Sequence, residues 1–273
     1  MPEPESAFTL WQLPNQTPTQ MMAYVLRSHR GKLIVLDGGM PGDAPYLRRF
    51  LEARGGQVAA WFITHPHIDH FGAIAEILDQ PGRLRIQRFY ASWPAPEWMK
   101  THGSADEYAR YTEFSRVLAR TGVRLAEVRR GDSLDFDEIH IEILAGHNPE
   151  LTVNAINNSS LVLRVEDSEK SVLFTADLGE EAGAKLLDSP FAPRLRTDYI
   201  QMAHHGQNGV SEEFYRYAGA PHCLWPTPKW LWENDSGGGP GSGPWRTLEV
   251  RAWMDHLGVR RHYRMFDGLQ EIR

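Results

Sequence analysis

The chain has 273 residues, enough for one large or two small domains, and 41% of them are hydrophobic, an ordinary share for a soluble globular protein. Its formal net charge of −6, with acidic and basic residues interspersed, offers no positive face for tracking a phosphate backbone, which disfavours a nucleic-acid partner. A single cysteine, Cys223, excludes an internal disulfide and a thiolate metal site.

The opening MPEPESAFTL lacks a basic-then-apolar signal, and no apolar run approaches the roughly 20 residues that span a bilayer, so the expected location is the cytoplasm, with no membrane partner. Strands are expected at 21–27 (MMAYVLR) and 32–39 (KLIVLDGG), rich in aliphatic residues and closed by glycines. A helix follows, with Asp43 to cap it, Pro45 in its first turn, Leu47, Phe50 and Leu51 on one face, and Gly55 as its stop. VAAWFITH (58–65) is a continuous apolar run of strand length, the pattern of a strand buried on both faces. Phe71, Ile74, Ile77 and Leu78 then stand at helical spacing, so a helix begins near His70 and HPHIDH (65–70) occupies the strand-to-helix turn. Ser104 and Glu107 form a capping-box pair ahead of a helix that carries Tyr108, Tyr111, Phe114, Val117 and Leu118 on one side and stops at Gly122.

Further strands are expected at 138–144, 159–165, 171–177 and 198–204, with a helical stretch over 180–187. Trp225, Trp230 and Trp232 either line a pocket for an apolar group or choline-like cation or pack in the core. NDSGGGPGSGP (234–244) reads as a mobile surface loop. Val250, Met254 and Leu257 mark a last helix stopped by Gly258, and RRHYRMF–DG–LQEIR reads as a hairpin with an Asp-Gly turn. Two β-then-α halves without a boundary between them predict one layered α/β domain over 1–273, helices outside and sheets inside.

HPHIDH concentrates three of the twelve histidines in one turn. In an extended segment alternate side chains point the same way, so His65 and His67 can reach one ion, while Asp69 and His70 enter the helix and turn toward a neighbouring point. Four such ligands cannot complete two metal spheres. Asp177 and the pair His204 and His205 supply partners, each at the end of a predicted strand, where sites in α/β proteins form.

THPHIDHFG resembles the metal-binding motif of the metallo-β-lactamase superfamily, and the likeness in element order covers almost the whole chain. LDGG (36–39) resembles the family's first motif, which makes Asp37 a carboxylate behind a ligand histidine. TADL (175–178) resembles the motif of the metal-bridging aspartate, with Ala176 in place of the usual glycine. NNSSLVLRV (157–165), FTADL and HHG (204–206) look most like the branch that holds the ComEC-like hydrolase domains and the choline-phosphate esterases.

The resemblance implies a four-layer αββα sandwich with a helical insertion near 93–122 and two divalent metal ions, zinc first, with manganese or iron suiting the same ligands. His65 and His67 would bind the first ion and Asp69 and His70 the second, with Asp177 bridging. His204, nearer the strand end, is preferred to complete the second site, leaving His205 for substrate or a supporting contact. The family's Gly-His-Thr ligand has its counterpart either in His147, where Asn148 replaces threonine, or in the polar stretch of Asn157 and Asn158. The implied enzyme is a metal-dependent hydrolase that attacks a small phosphoester or phosphodiester with a metal-activated hydroxide, Asp69 orienting the water and His205 donating to the developing charge. Trp225 and the two asparagines are candidate substrate or supporting residues. The alternatives are a carboxylic ester, lactone or thioester hydrolase of the same fold, and a non-catalytic metal-binding relative. Oligomeric state is not legible.

Overall fold

The computed structural model describes residues 7–273, so the first six residues of the MPEPESAFTL reading lie outside the described part. Its strands are β1 (Thr9–Gln12), β2 (Ala23–Arg27), β3 (Leu33–Asp37), β4 (Gln57–Ile63), β5 (Arg85–Ile86), β6 (Phe89–Ala91), β7 (Leu125–Glu127), β8 (Ser133–Phe136), β9 (Ile139–Ala145), β10 (Val162–Glu166), β11 (Ser171–Phe174), β12 (Tyr199–Gln201), β13 (His222–Trp225), β14 (Arg261–Arg264) and β15 (Gln270–Ile272). Its α-helices are α1 (Ala44–Glu52), α2 (Ile68–Asp79), α3 (Pro96–His102), α4 (Ala105–Thr121), α5 (Glu180–Leu187), α6 (Glu212–Ala218), α7 (Lys229–Trp232) and α8 (Thr247–His256). One sheet runs β15-β1-β2-β3-β4-β6-β7, with β5 beside β4, and the other runs β14-β13-β12-β11-β10-β9-β8.

Strand periodicity sorts the side chains into layers. On β2, β3 and β4, Val25, Val35 and Trp61 turn outward to pack with Leu47 and Leu51 of α1 and Ile74 and Ile77 of α2. Their neighbours Tyr24, Leu26, Ile34, Leu36, Ala60 and Phe62 turn inward and meet Ile141, Ile143, Leu163, Val165, Val172 and Phe174 of the second sheet. The outer face of that sheet, Leu144, Val162, Leu173, Ile200 and Cys223, is covered by Ala182 and Leu186 of α5, Phe214 of α6, and Val250 and Met254 of α8. The result is the αββα sandwich, with β3, β4 and β11 buried on both faces, which is why they read as largely apolar runs.

The helical insertion between β6 and β7 is α3 and α4. It docks on α2 through Phe114, stacked on Phe71 at 4.6 Å. Ser104 Oγ accepts from Glu107 N at 3.2 Å, and Gly122 ends the helix at φ +70°.

Three expectations change. The hairpin at the C-terminal end does not form: β14 pairs parallel with β13 in the second sheet, whereas β15 pairs antiparallel with β1 in the first, so the Asp-Gly corner carries the chain across the sandwich. The strands expected at 171–177 and 198–204 stop at Phe174 and Gln201, because Gln201 Oε1 accepts from Thr175 N at 2.9 Å and its carbonyl from Thr175 Oγ1 at 2.7 Å, replacing the ladder. Asp43 precedes α1 without capping it; its carboxylate accepts from Met40 N and Gln16 N at 2.8 and 2.6 Å. The 234–244 segment carries its own bonds: Asp235 Oδ1 accepts from Gly237 N and Gly239 N at 2.7 and 2.9 Å.

Candidate metal centre

Four chain segments leave the sheets at one edge of the sandwich. β3 ends at Asp37, β4 runs into HPHIDH, β11 leads to Asp177, and β12 leads to His204 and His205. His67 is the residue before α2, and Asp69 lies in that helix's first turn, where the helix dipole favours a carboxylate. The HHG turn holds three consecutive residues in the left-handed region, His204, His205 and Gly206 at φ 50°, 56° and 76°. Only glycine fits the third place, since a Cβ there would lie 2.5 Å from the Trp225 ring. Such a backbone costs energy and persists where its side chains have work to do.

The side chains so delivered form two donor groups. Asp69, His70, Asp177 and His205 each bring one donor atom within 4.8 Å of the others, and His65, His67 and Asp177 do the same. Asp177 is common to both. Its Oδ1 lies 3.3 Å from His70 Nε2, and its Oδ2 lies 3.5 Å from His205 Nε2 and 3.7 Å from His65 Nε2. Asp69 Oδ2 lies 3.1 Å from His205 Nε2.

Each histidine is held from behind. His70 Nδ1 donates to Asp37 Oδ2 at 2.6 Å, His205 Nδ1 to the Pro226 carbonyl at 2.9 Å, and His67 Nε2 to Glu107 Oε1 at 3.0 Å. Thr64 Oγ1 donates to Asp37 Oδ2 at 2.7 Å, which leaves it to accept from His65 Nδ1 at 3.1 Å. In every ring the other nitrogen therefore faces the group interior, as in the outer-shell pattern that orients metal-bound histidines.

The electrostatics describe a site waiting for positive charge. Burial alone would depress His70, yet Asp177, Asp37 and Asp69 outweigh it and hold that ring well above the usual histidine range. Burial likewise opposes charge on His205, and Asp177 and Asp69 overcome it, lifting the ring to about 10. Burial would raise Asp69 and Asp177, but the same two rings pull both below the usual carboxylate range. His65, with burial and the neighbouring His70 against it, is driven well below its ordinary value. Asp37 is pushed up by burial despite His70 and Thr64.

The donor set fits divalent metal. His70 Nε2, His205 Nε2 and Asp177 Oδ1 are buried without a hydrogen-bond partner, a costly state that an ion would relieve. Imidazole nitrogen and carboxylate oxygen are the ligands zinc and its neighbours take. The two groups, joined through Asp177, make a dinuclear metal-binding cluster.

The structure places the other expected residues as follows. His205, not His204, joins the four-residue group: the turn swings His205 inward to full burial, whereas His204 Nε2 stays 3.9 Å from Asp177 Oδ2 at the partly exposed mouth. His204 Nδ1 donates to the Asn208 carbonyl at 3.1 Å, and Asn157 Nδ2 lies 3.4 Å from His204 Nε2. His147 belongs to neither group; it packs edge-on against Trp98 and bonds Ser159 Oγ at 3.1 Å. Asn158 faces away, its Oδ1 accepting from Ala182 N in the first turn of α5 at 3.2 Å. Trp225 is fully buried and cannot touch a substrate; its Nε1 donates to His262 Nδ1 at 3.0 Å. Gln20, Thr64 and Glu107 are site residues that sequence reasoning did not single out. Gln20 Nε2 donates to Asp69 Oδ2 at 3.1 Å. Glu107 was legible only as a helix cap, and Gln20 stands in a loop without pattern.

Comparison with known proteins agrees with this geometry. ComE operon protein 3 of Bacillus subtilis (strain 168) is 33% identical over 170 residues, a match that covers 60% of this chain and 19% of that protein, so the match spans about a fifth of the relative's length. The metallo-beta-lactamase fold protein YhfI of Bacillus subtilis superposes with a TM-score of 0.62 at 14% identity, covering 98% of this chain and all of the other. A diphosphatase of the PhnP family superposes with a TM-score of 0.51 at 12% identity, covering 98% of each chain. A sequence profile described as the metallo-beta-lactamase superfamily matches residues 17–213. With that match, the αββα sandwich and the paired donor groups, the chain belongs to the metallo-β-lactamase superfamily and is a metal-dependent hydrolase.

Proposed function

We propose that the chain hydrolyses a small phosphoester or phosphodiester, with zinc as the first candidate metal. The observation that carries the reading is Asp177, buried between the two donor groups with an unpartnered oxygen. His65, His67 and Asp177 would hold one ion, and Asp69, His70, Asp177 and His205 the other. Two bound divalent ions lower the pKa of water to about 7 and polarise the oxygens of a substrate. The chain's own part is positioning. Asp37, Thr64, Glu107 and the Pro226 carbonyl fix the four rings so that no ligand need reorient on binding. Gln20 holds Asp69 Oδ2, setting the direction of the carboxylate beside His205. At the mouth, His204 and Asn157 stand together beside Asp177, placed to contact a substrate rather than an ion.

Phosphorus is favoured over carbonyl carbon by the NNSS, FTADL and HHG likeness to the ComEC-like and choline-phosphate esterase branch. The diphosphatase among the structural neighbours bears the same fold. The test is a panel of bis-nitrophenyl phosphate, nitrophenyl phosphate, nitrophenyl acetate and a lactone, assayed before and after chelation and again after zinc, manganese or iron is restored. Phosphoester turnover that vanishes with chelator and returns with metal is expected. Faster cleavage of the carboxylic esters would move the assignment to that class, and metal-bound protein inert on every substrate would leave a binding relative.

A further inference from the structure

Among the described residues, His67 is the one histidine of the centre anchored from the helical insertion. Its Nε2 lies 3.0 Å from Glu107 Oε1, and its Nδ1 faces inward, 3.0 Å from His65 Nε2. The second oxygen of the same carboxylate closes the capping box of α4: Glu107 Oε2 accepts from Ser104 N at 2.6 Å, while Glu107 N donates to Ser104 Oγ at 3.2 Å. An ionised carboxylate only accepts. With one oxygen committed to Ser104 N, the other requires a proton on the His67 nitrogen that faces it. That selects the tautomer protonated at Nε2 and leaves the Nδ1 lone pair on the side of His65 and Asp177.

We infer that Glu107 is a positioning residue for His67: it sets the tautomer and direction of the ring and ties the His65–His67–Asp177 half of the centre to the start of α4. The inference rests on the reading that this half holds an ion. It gives the insertion a role beyond covering α2, since the contact that begins the helix also presents a ligand. Coupling runs both ways, so an ion on His67 also steadies the first turn of α4.

Simple helix capping is the competing role, and Ser104 separates the two. Ser104→Ala removes the hydroxyl half of the capping box yet keeps the Glu107–His67 contact. Glu107→Ala removes both. Glu107→Gln keeps a single accepting oxygen, which cannot serve Ser104 N and His67 Nε2 equally. The full chain and these three variants, stripped of metal, are compared by nitrogen-edited histidine spectra at pH 8, and zinc alone is then titrated against a chromogenic chelator. In the wild-type chain the neutral His67 ring is expected to be protonated at Nε2. Glu107→Ala should mix the tautomers and weaken one zinc site roughly 10- to 100-fold, with the other within about threefold. Glu107→Gln should fall between, and Ser104→Ala should keep the wild-type tautomer and both affinities. Wild-type spectra and both affinities in Glu107→Ala would overturn the inference, as would an equal loss in Ser104→Ala. If Glu107→Ala does not fold, Glu107→Gln decides on the same two readouts. A wild-type chain that takes up no zinc would overturn the two-ion reading instead, and the tautomer comparison would still judge Glu107.

Discussion

Asp177 is the side chain on which the two donor groups depend together, and the variants around it should separate cleanly. Asp177→Ala is expected to lose both ions and to reduce turnover by more than the roughly 100-fold that removal of an outer-shell partner costs. His205→Ala should keep one ion per chain and His204→Ala two, although both should lose activity, the first through the metal and the second through the substrate. Elemental analysis of the purified variants checks this, and two ions retained by His205→Ala would return the ligand role to His204. Metal uptake should also release acid. His70 and His205 are held protonated by buried carboxylates through neutral pH, and a ring must shed its Nε2 proton to bind an ion. Zinc added to the metal-free chain at pH 7.5 in weak buffer should therefore liberate about two protons, one from each ring. Affinity should fall as pH falls.

At the level of elements, the glycine that follows HPHIDHF shows how tightly the turn is set. A Cβ on Gly72 would lie 2.5 Å from Pro41 Cδ and 2.9 Å from its backbone nitrogen, so α2 rests directly on the chain between β3 and α1. Gly72→Ala must push the start of α2 away, at a cost of roughly 1–3 kcal/mol by overpacking. Because Asp69 and His70 ride on that turn, metal affinity should drop along with the denaturation midpoint. A variant with unchanged affinity would show that the turn has slack. This stretch was legible because buried strands, a helix start and a metal motif all reinforce one another over a dozen residues. The same holds for Glu107 and Ser104, whose capping pair announced α4, and for Asp177 at a strand end. What sequence spacing could not resolve was direction. His204 and His205 are adjacent, and the choice between them depends on three left-handed residues that no pattern announces. The Asp-Gly corner near Asp267 failed for a related reason: local turn chemistry favours a hairpin, but β1 and β13 both offered open edges, and each captured one of the two strands. The choice between His147 and the Asn157–Asn158 stretch was equally illegible, because a Gly-His pair specifies a residue type and not which side of a loop it faces; His147 lies in neither donor group.

For the whole molecule, the metal centre joins the two sheets, so its charge state should appear in global stability. In the metal-free chain His205 is raised to about 10 and His70 is raised as well, both above the roughly 6.5 of an unfolded histidine. A raised pKa means that protonation favours the folded state. This contribution is complete below about 6.5 and is lost as pH climbs toward 10. Asp69 and Asp177, held below their unfolded values, contribute in the opposite sense, fully above about 3.9 and progressively less in acid. His65, depressed by burial, opposes stability as pH falls below about 6.5, so the chelated protein should be most stable just below neutrality and weaken steadily from pH 7 to pH 10. The loaded protein should behave differently, because the ligands must be deprotonated and binding strengthens over that same range. Zinc at about a thousand times its dissociation constant adds roughly 4 kcal/mol, which for a chain of this size raises Tm by about 10 °C. Melting curves of the chelated and zinc-loaded protein should therefore stand about 10 °C apart near neutrality and diverge further toward pH 9. Curves that converge as pH rises would mean that the buried rings do not exchange a proton for metal, and the assignment of His70 and His205 as ligands would fall with them.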